Sequence, residues 1–201
     1  MSLAYRLHNT AKENHLHIGW RISKPRKKSI DDGFCTLREA INNANNDLQQ
    51  FSTTGECAAG SGTDTITFDT GLSSLTIYLG SSLIISSNMT IDGSVLASQI
   101  TISGDSDNNG VGDLQLIRIN DSGGTAALDS LIITKGAWPI TGSGMRNTGT
   151  LLITNSTFSN NTTTGIGFGG AIYNTGTLTI TDSTFSANSA INGGVYNAGG
   201  Q

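Results

Sequence analysis

Gly144-Met145-Arg146-Asn147-Thr148-Gly149-Thr150-Leu151-Leu152-Ile153-Thr154-Asn155-Ser156-Thr157-Phe158-Ser159-Asn160-Asn161 is restated as Gly170-Ala171-Ile172-Tyr173-Asn174-Thr175-Gly176-Thr177-Leu178-Thr179-Ile180-Thr181-Asp182-Ser183-Thr184-Phe185-Ser186-Ala187-Asn188, and its opening returns at Gly194-Val195-Tyr196-Asn197-Ala198-Gly199. A fixed period in the twenties marks an array of stacked units. Within each unit apolar and small polar residues alternate, as in Thr177-Leu178-Thr179-Ile180-Thr181, which puts Leu178 and Ile180 on one side and the threonines on the other. Each such strand ends after about five residues, too soon for a strand-plus-helix repeat. Three short strands per turn of a coil fit, each pairing with its equivalent one turn above and below at about 4.8 Å. The predicted fold is an all-β parallel β-helix.

The repeat assigns structural positions. Phe158 and Phe185 are predicted to stack inside the coil, with Ile132 as the preceding rung because Ser130, Ser156 and Ser183 align. Asn161 and Asn188 fall at one bend, and Asn147, Asn174 and Asn197 at another. Asn tolerates the left-handed backbone of a sharp corner, and stacked amides can bond along the coil. Less regular rungs are read earlier, at Asp64–Phe68, Leu75–Leu79, Ser82–Ile85, Met89–Gly93, Gln99–Ile102 and Leu114–Ile119. About five or six turns fit between residues 60 and 201.

A single helix precedes them. Thr36 followed three residues later by Glu39 forms a capping box, and Leu37, Ala40, Ile41 and Ala44 recur at helical spacing. An open end of a β-coil exposes its interior and its strand edges, so this helix is read as the cap, with Arg38 and Glu39 serving the cap and not catalysis. The organisation expected is an atypical, poorly ordered basic leader over residues 1–30, a capping helix and connecting loop over 31–59, and the coil over 60–201, truncated at its C-terminal end.

Gly169-Gly170-Ala171-Ile172, with Phe158-Ser159-Asn160-Asn161 and Phe185-Ser186-Ala187-Asn188, resembles the GGAI and FxxN repeats of polymorphic outer membrane proteins, and Cys35-Thr36-Leu37-Arg38-Glu39-Ala40 resembles the CSLREA motif of bacterial surface proteins, with Thr for Ser. The resemblance covers residues 31–201. It implies a secreted or surface-displayed right-handed β-helix of the pectin-lyase-like class, with adhesion among its roles.

The only two cysteines are Cys35, at the head of the helix, and Cys57. An even count suits an oxidising compartment, and a bridge would tie the cap to the loop that leads into the coil; free thiols are the other reading. A zinc site lacks further His or Cys between residues 31 and 201.

Charge is divided along the chain. Seven of the eleven Lys and Arg lie at or before Lys28, with all three histidines, whereas from Asp31 onward Arg38, Arg118, Lys135 and Arg146 face fourteen acidic residues. An acidic body argues against nucleic-acid binding. There is no apolar run of membrane-spanning length, and the leader has no signal-peptide core, which points to a mis-assigned start, a fragment or a cloning remnant. The final Gly199-Gly200-Gln201 stops partway through a rung, an uncapped edge open to end-to-end self-association.

Asp105, Asp107, Asn109 and Asp113 place oxygens at positions 1, 3, 5 and 9 of a calcium-type loop, with Gly110 at 6 and the Val111 carbonyl available. Leu116 stands where such a loop carries its bidentate Glu. An Asx-rich turn without an ion is the competing reading. No catalytic constellation emerges: past residue 40 there is one Glu and no His, and Asp92, Asp121, Asp129 and Asp182 are scattered in sequence. Arg118 and Arg146 are read as solvated charges. The reading is therefore a non-enzymatic extracellular or bacterial cell-surface β-helix, an adhesin or stalk segment with a host-surface or glycan ligand. The alternative is a carbohydrate-active β-helix whose catalytic rungs lie outside this chain. Outward Thr150, Thr177 and Thr179 also suit a face that binds ice or glycan.

Overall fold

In a computed structural model, residues 34–53, 56–120 and 125–199 are described, together with the backbone of His15–Ile18. Three parallel sheets wind into a β-solenoid of about five turns. The first face carries Asp64–Phe68, Met89–Asp92, Thr125–Asp129, Thr150–Thr154 and Thr177–Thr181; the second carries Thr76–Tyr78, Ile100–Ser103, Leu131–Thr134, Thr157–Ser159 and Thr184–Ser186. The third carries Leu83–Ile85, Ile117–Ile119, Met145–Asn147, Ile172–Asn174 and Val195–Asn197. A small accessory sheet pairs Ala137–Trp138 with Thr162–Thr163 where the second face passes to the third.

Alternation makes the core. Ile66, Ile91, Leu128 and Ile153 are Cα partners on successive rungs of the first face, and each is completely buried. On the second face Ile102, Ile133, Phe158 and Phe185 form one column, with the two rings stacked at 5.1 Å and 10°. Phe158 is fully buried and Phe185 half-buried. The rung below Phe158 is thus Ile133 and not Ile132. A one-residue slip in a strand reverses every side chain, and Ile132 accordingly lies across from Thr157 with its side chain outside the core.

The misleading cue was the serine alignment. Ser130 is equivalent in conformation to Asn155 and Asp182, which share its left-handed backbone with φ of 58°, 47° and 48° respectively. A second left-handed column is Lys135, Asn160 and Ala187, one residue before Asn161 and Asn188. The ladder asparagines therefore do not turn the corners themselves. They brace them: Asn161 Nδ2 donates to Asn188 Oδ1 at 2.9 Å, while Asn161 Oδ1 accepts the Gly136 N–H at 2.8 Å.

The third-face ladder behaves likewise. Asn147 Nδ2 donates to Asn174 Oδ1 at 2.6 Å, and Asn174 Nδ2 to Asn197 Oδ1 at 2.9 Å. Ile85 and Ile119 fill this column in the first two turns, so it changes from aliphatic to amide along the axis. The GGAI repeat also has a steric cause. Gly169 has φ of 65°, and a Cβ at Gly170 would come within 2.5 Å of the Ser189 carbonyl oxygen, so the pair passes where side chains cannot.

Leu37–Asn46 forms the helix, with both hydrogen bonds of the Thr36–Glu39 capping box in place and a left-handed C-cap at Asp47. Leu37, Ala40, Ile41 and Ala44 join the core, while Arg38 donates to the Ser82 carbonyl and Asn45 Nδ2 to that of Ile84. The helix thus closes the first turn. Cys35 and Cys57 form a disulfide with their Cα atoms 4.5 Å apart. In the leader, which was expected to hold no rung, His15–Ile18 runs parallel to Asp64–Phe68 and extends the first face by one strand. The order of the rest of residues 1–33, and the end at Gly200 and Gln201, lie outside the described residues.

Candidate functional site

The calcium-type loop occupies the connection between Ile100–Ser103 and Ile117–Ile119. Its three carboxylates do converge: oxygens of Asp105, Asp107 and Asp113 lie within 4.8 Å of one another. Asp105 is fully buried and the other two are exposed. Sequence reasoning missed two partners. Lys135 Nζ, from the left-handed corner of the next turn, lies 3.0 Å from Asp105 Oδ2, and Ser106 donates both its backbone N–H and its hydroxyl to Asp113 Oδ2 at 2.7 Å. Lys135 stood out in sequence only as a rare cation, and only the stacking reveals its partner.

The loop's own backbone does the rest. Asp105 Oδ1 accepts the Asn109 N–H and Oδ2 the Gly110 N–H, both at 2.9 Å. Asn109 Oδ1 accepts the Val111 N–H at 2.8 Å, which turns that oxygen back into the loop. Burial opposes the charge on Asp105, but the Lys135 ammonium and the two N–H groups outweigh it and hold the carboxyl below its ordinary range. Lys135 already supplies the positive charge that Asp105 needs, so a calcium ion there would compete with it. Of the predicted ligands, Asp107 and Asp113 hold exposed carboxylates beside Asp105, of the kind calcium takes, whereas the Asn109 side-chain oxygen is engaged by the Val111 N–H.

A second acid lies under the cap. Asp64 is 2% exposed, its Oδ1 accepts the Ser61 N–H at 3.0 Å, and its Oδ2 has no hydrogen-bond partner. Burial raises its pKa; the Ser61 N–H pulls it down and the negative charge of Asp47 adds to the rise. Two further acids serve turns. Asp92 and Asp129 come together as neighbours in register on the outside of the first face, where Asp92 Oδ1 caps the Ser94 N–H and Asp129 Oδ1 accepts from Ser130 and Asn155. Asp121 lies outside the described residues.

The outward threonines form one unbroken row, Thr125, Thr150 and Thr177. The row through Thr179 is interrupted by Leu152 and Ala127. On the outside of the third face Arg118, Arg146, Tyr173 and Tyr196 are successive Cα partners, which puts the two arginines on neighbouring rungs. No helix among the described residues is long and apolar enough to cross a membrane. No family model matches this chain, nor does any curated protein or solved structure.

Proposed function

We propose that this chain is a non-enzymatic, surface-displayed β-solenoid, a segment of an extracellular adhesin or envelope stalk. The observation that carries the reading is the Cys35–Cys57 disulfide. It staples the loop after the cap helix to the head of that helix, and such bonds persist in oxidising compartments. The resemblance of Cys35–Ala40 to the opening motif of bacterial surface proteins supports the same placement. A stack of in-register rungs suits the role mechanically, because each turn buries its apolar face only against its neighbours and the product is a rod.

Localisation in the producing cell tests the proposal. Intact cells are treated with a membrane-impermeant amine-reactive biotin, and the recovered chain is then probed with maleimide under denaturing conditions. Surface labelling with no free thiol is expected. Recovery only from the cytoplasmic fraction, with both cysteines modified by maleimide, would contradict it.

A further inference from the structure

Charge is rare at the outward strand positions of the three faces, and where it occurs it falls in a pattern. Among the described rungs of the five turns the charged outward residues are Asp92 and Asp129 on the first face and Arg118 and Arg146 on the third, and the second face carries none. Asp92 and Asp129 are Cα partners on neighbouring rungs, and so are Arg118 and Arg146. The two pairs also share their height along the axis. Asp92 and Arg118 belong to the second turn, which runs from Met89–Asp92 to Ile117–Ile119, and Asp129 and Arg146 to the third, from Thr125–Asp129 to Met145–Asn147. The neighbours of all four point inward: Ile91 and Leu128 before the aspartates are buried, as are Ile117 and Met145 before the arginines, so alternation turns the charges outward.

Neither pair is neutralised within the chain. Among the described residues no ion pair reaches any of the four. Each aspartate engages only Oδ1 in its own corner, Asp92 with the Ser94 N–H and Asp129 with Ser130 and Asn155, which leaves both Oδ2 atoms facing solvent. Like charges on adjacent rungs, about 4.8 Å apart along the axis, repel one another. Two such pairs of opposite sign, on different faces but at the same two levels, are unfavourable in an isolated rod and complementary between two rods.

We propose that the third face of one copy of this chain docks laterally on the first face of a second copy, with the coil axes parallel and the turns level. Arg118 then meets the second copy's Asp92, and Arg146 its Asp129, as guanidinium–carboxylate pairs with matching spacing. One turn higher the same alignment sets Tyr173 against Leu152, a large apolar residue exposed on the first face. Five rungs of at most five residues make a face of about 24 Å by 17 Å, or about 400 Å², half of the roughly 800 Å² each side of a standard interface buries. The contact is therefore of the weak, concentration-dependent class, and its charges fix partner and alignment more than affinity. Different faces meet, so each docked copy still offers one free face and the contact propagates side by side. The inference goes beyond the surface-display reading and does not depend on it.

Sedimentation velocity of the full chain, from micromolar to millimolar concentration, tests it. The parent is expected to form oligomers as concentration rises. Association should weaken about tenfold or more in Arg118→Gln with Arg146→Gln, and likewise in Asp92→Asn with Asp129→Asn, which keeps the oxygen acceptor of each corner. If the double arginine variant melts early, Arg146→Gln alone takes its place. The decisive arm is an equimolar mixture of the two variants. Each retains the face that the other lacks, so the mixture should form a one-to-one complex that grows no further, which also shows that both variants are folded. A parent chain that stays monomeric to millimolar concentration, association unchanged in both variants, or folded variants that remain monomeric when mixed would each overturn the docking.

Discussion

Lys135 reaches across 30 residues of sequence to place its ammonium 3.0 Å from Oδ2 of Asp105, joining the polar loop of one turn to the corner of the next. Lys135→Met would leave a buried carboxylate without its cation, so it should lower the melting temperature at neutral pH. Asp105 has a lowered native pKa, so its stabilising effect is complete above the ordinary carboxylate value of about 3.9 and is lost as pH falls through the lower native value. The gap in melting temperature between parent and Lys135→Met should accordingly be widest near neutrality and close below about pH 4. Asp64, with its pKa raised, works in the opposite sense, favouring the fold below about 3.9 and losing that contribution as pH rises through its native value; Asp64→Asn should stabilise at neutral pH.

Calcium distinguishes the two cations. With Lys135 in place, millimolar calcium should leave the melting curve unchanged, and in Lys135→Met it should raise it, since an ion that binds only the folded state stabilises that state. A calcium-dependent rise in the parent chain would show that the ion displaces the lysine.

Phe158 and Phe185 share a column but not a burial. Phe158→Ala should cost about 3 to 5 kcal/mol, the range for removing a fully enclosed ring. Phe185→Ala should cost clearly less, because Phe185 keeps part of its surface in solvent. Equal losses in urea unfolding would contradict the partial exposure of Phe185.

Asn174 holds the centre of the amide ladder, accepting from Asn147 and donating to both Asn197 and the Gly176 carbonyl. Asn174→Ala should cost about 1 to 3 kcal/mol, because the buried ladder loses both the Asn147–Asn174 bond and the bond to the Gly176 carbonyl, although Asn147 Nδ2 keeps the Gly149 and Thr177 carbonyls as acceptors. Asn147→Ile with Asn174→Ile restores the aliphatic column seen at Ile85 and Ile119 and should recover stability beyond the sum of the single changes.

Much of this was legible in the sequence, and what escaped has a physical reason. The repeats between Met145 and Asn197 are near copies, so strands, ring stack and amide ladders followed from alternation alone. The register to the turn before did not. The second-face spacing changes from 27 residues, Phe158 to Phe185, to 25, Ile133 to Phe158, and a serine alignment cannot see that a left-handed residue, not a serine, fixes each corner. The Thr125–Asp129 strand was overlooked because Ala126 and Ala127 carry a weak strand signal. Lys135 meeting Asp105 and Arg118 meeting Arg146 depend on loop lengths between turns, which composition does not encode.

The central claim is a straight stack of rungs in a defined order, and pulsed electron paramagnetic resonance measures it directly. Spin labels are placed at Thr65 and Thr179, outward positions of one first-face column on the first and fifth turns, with Thr125 and Thr177 as the shorter pair. Four rung spacings put the first pair about 19 Å apart and two put the second about 10 Å apart, before the label arms are added. A distance that grows with rung number in this proportion is the expected result. Equal distances for the two pairs, or a broad distribution for Thr65 and Thr179 in folded protein, would contradict the solenoid.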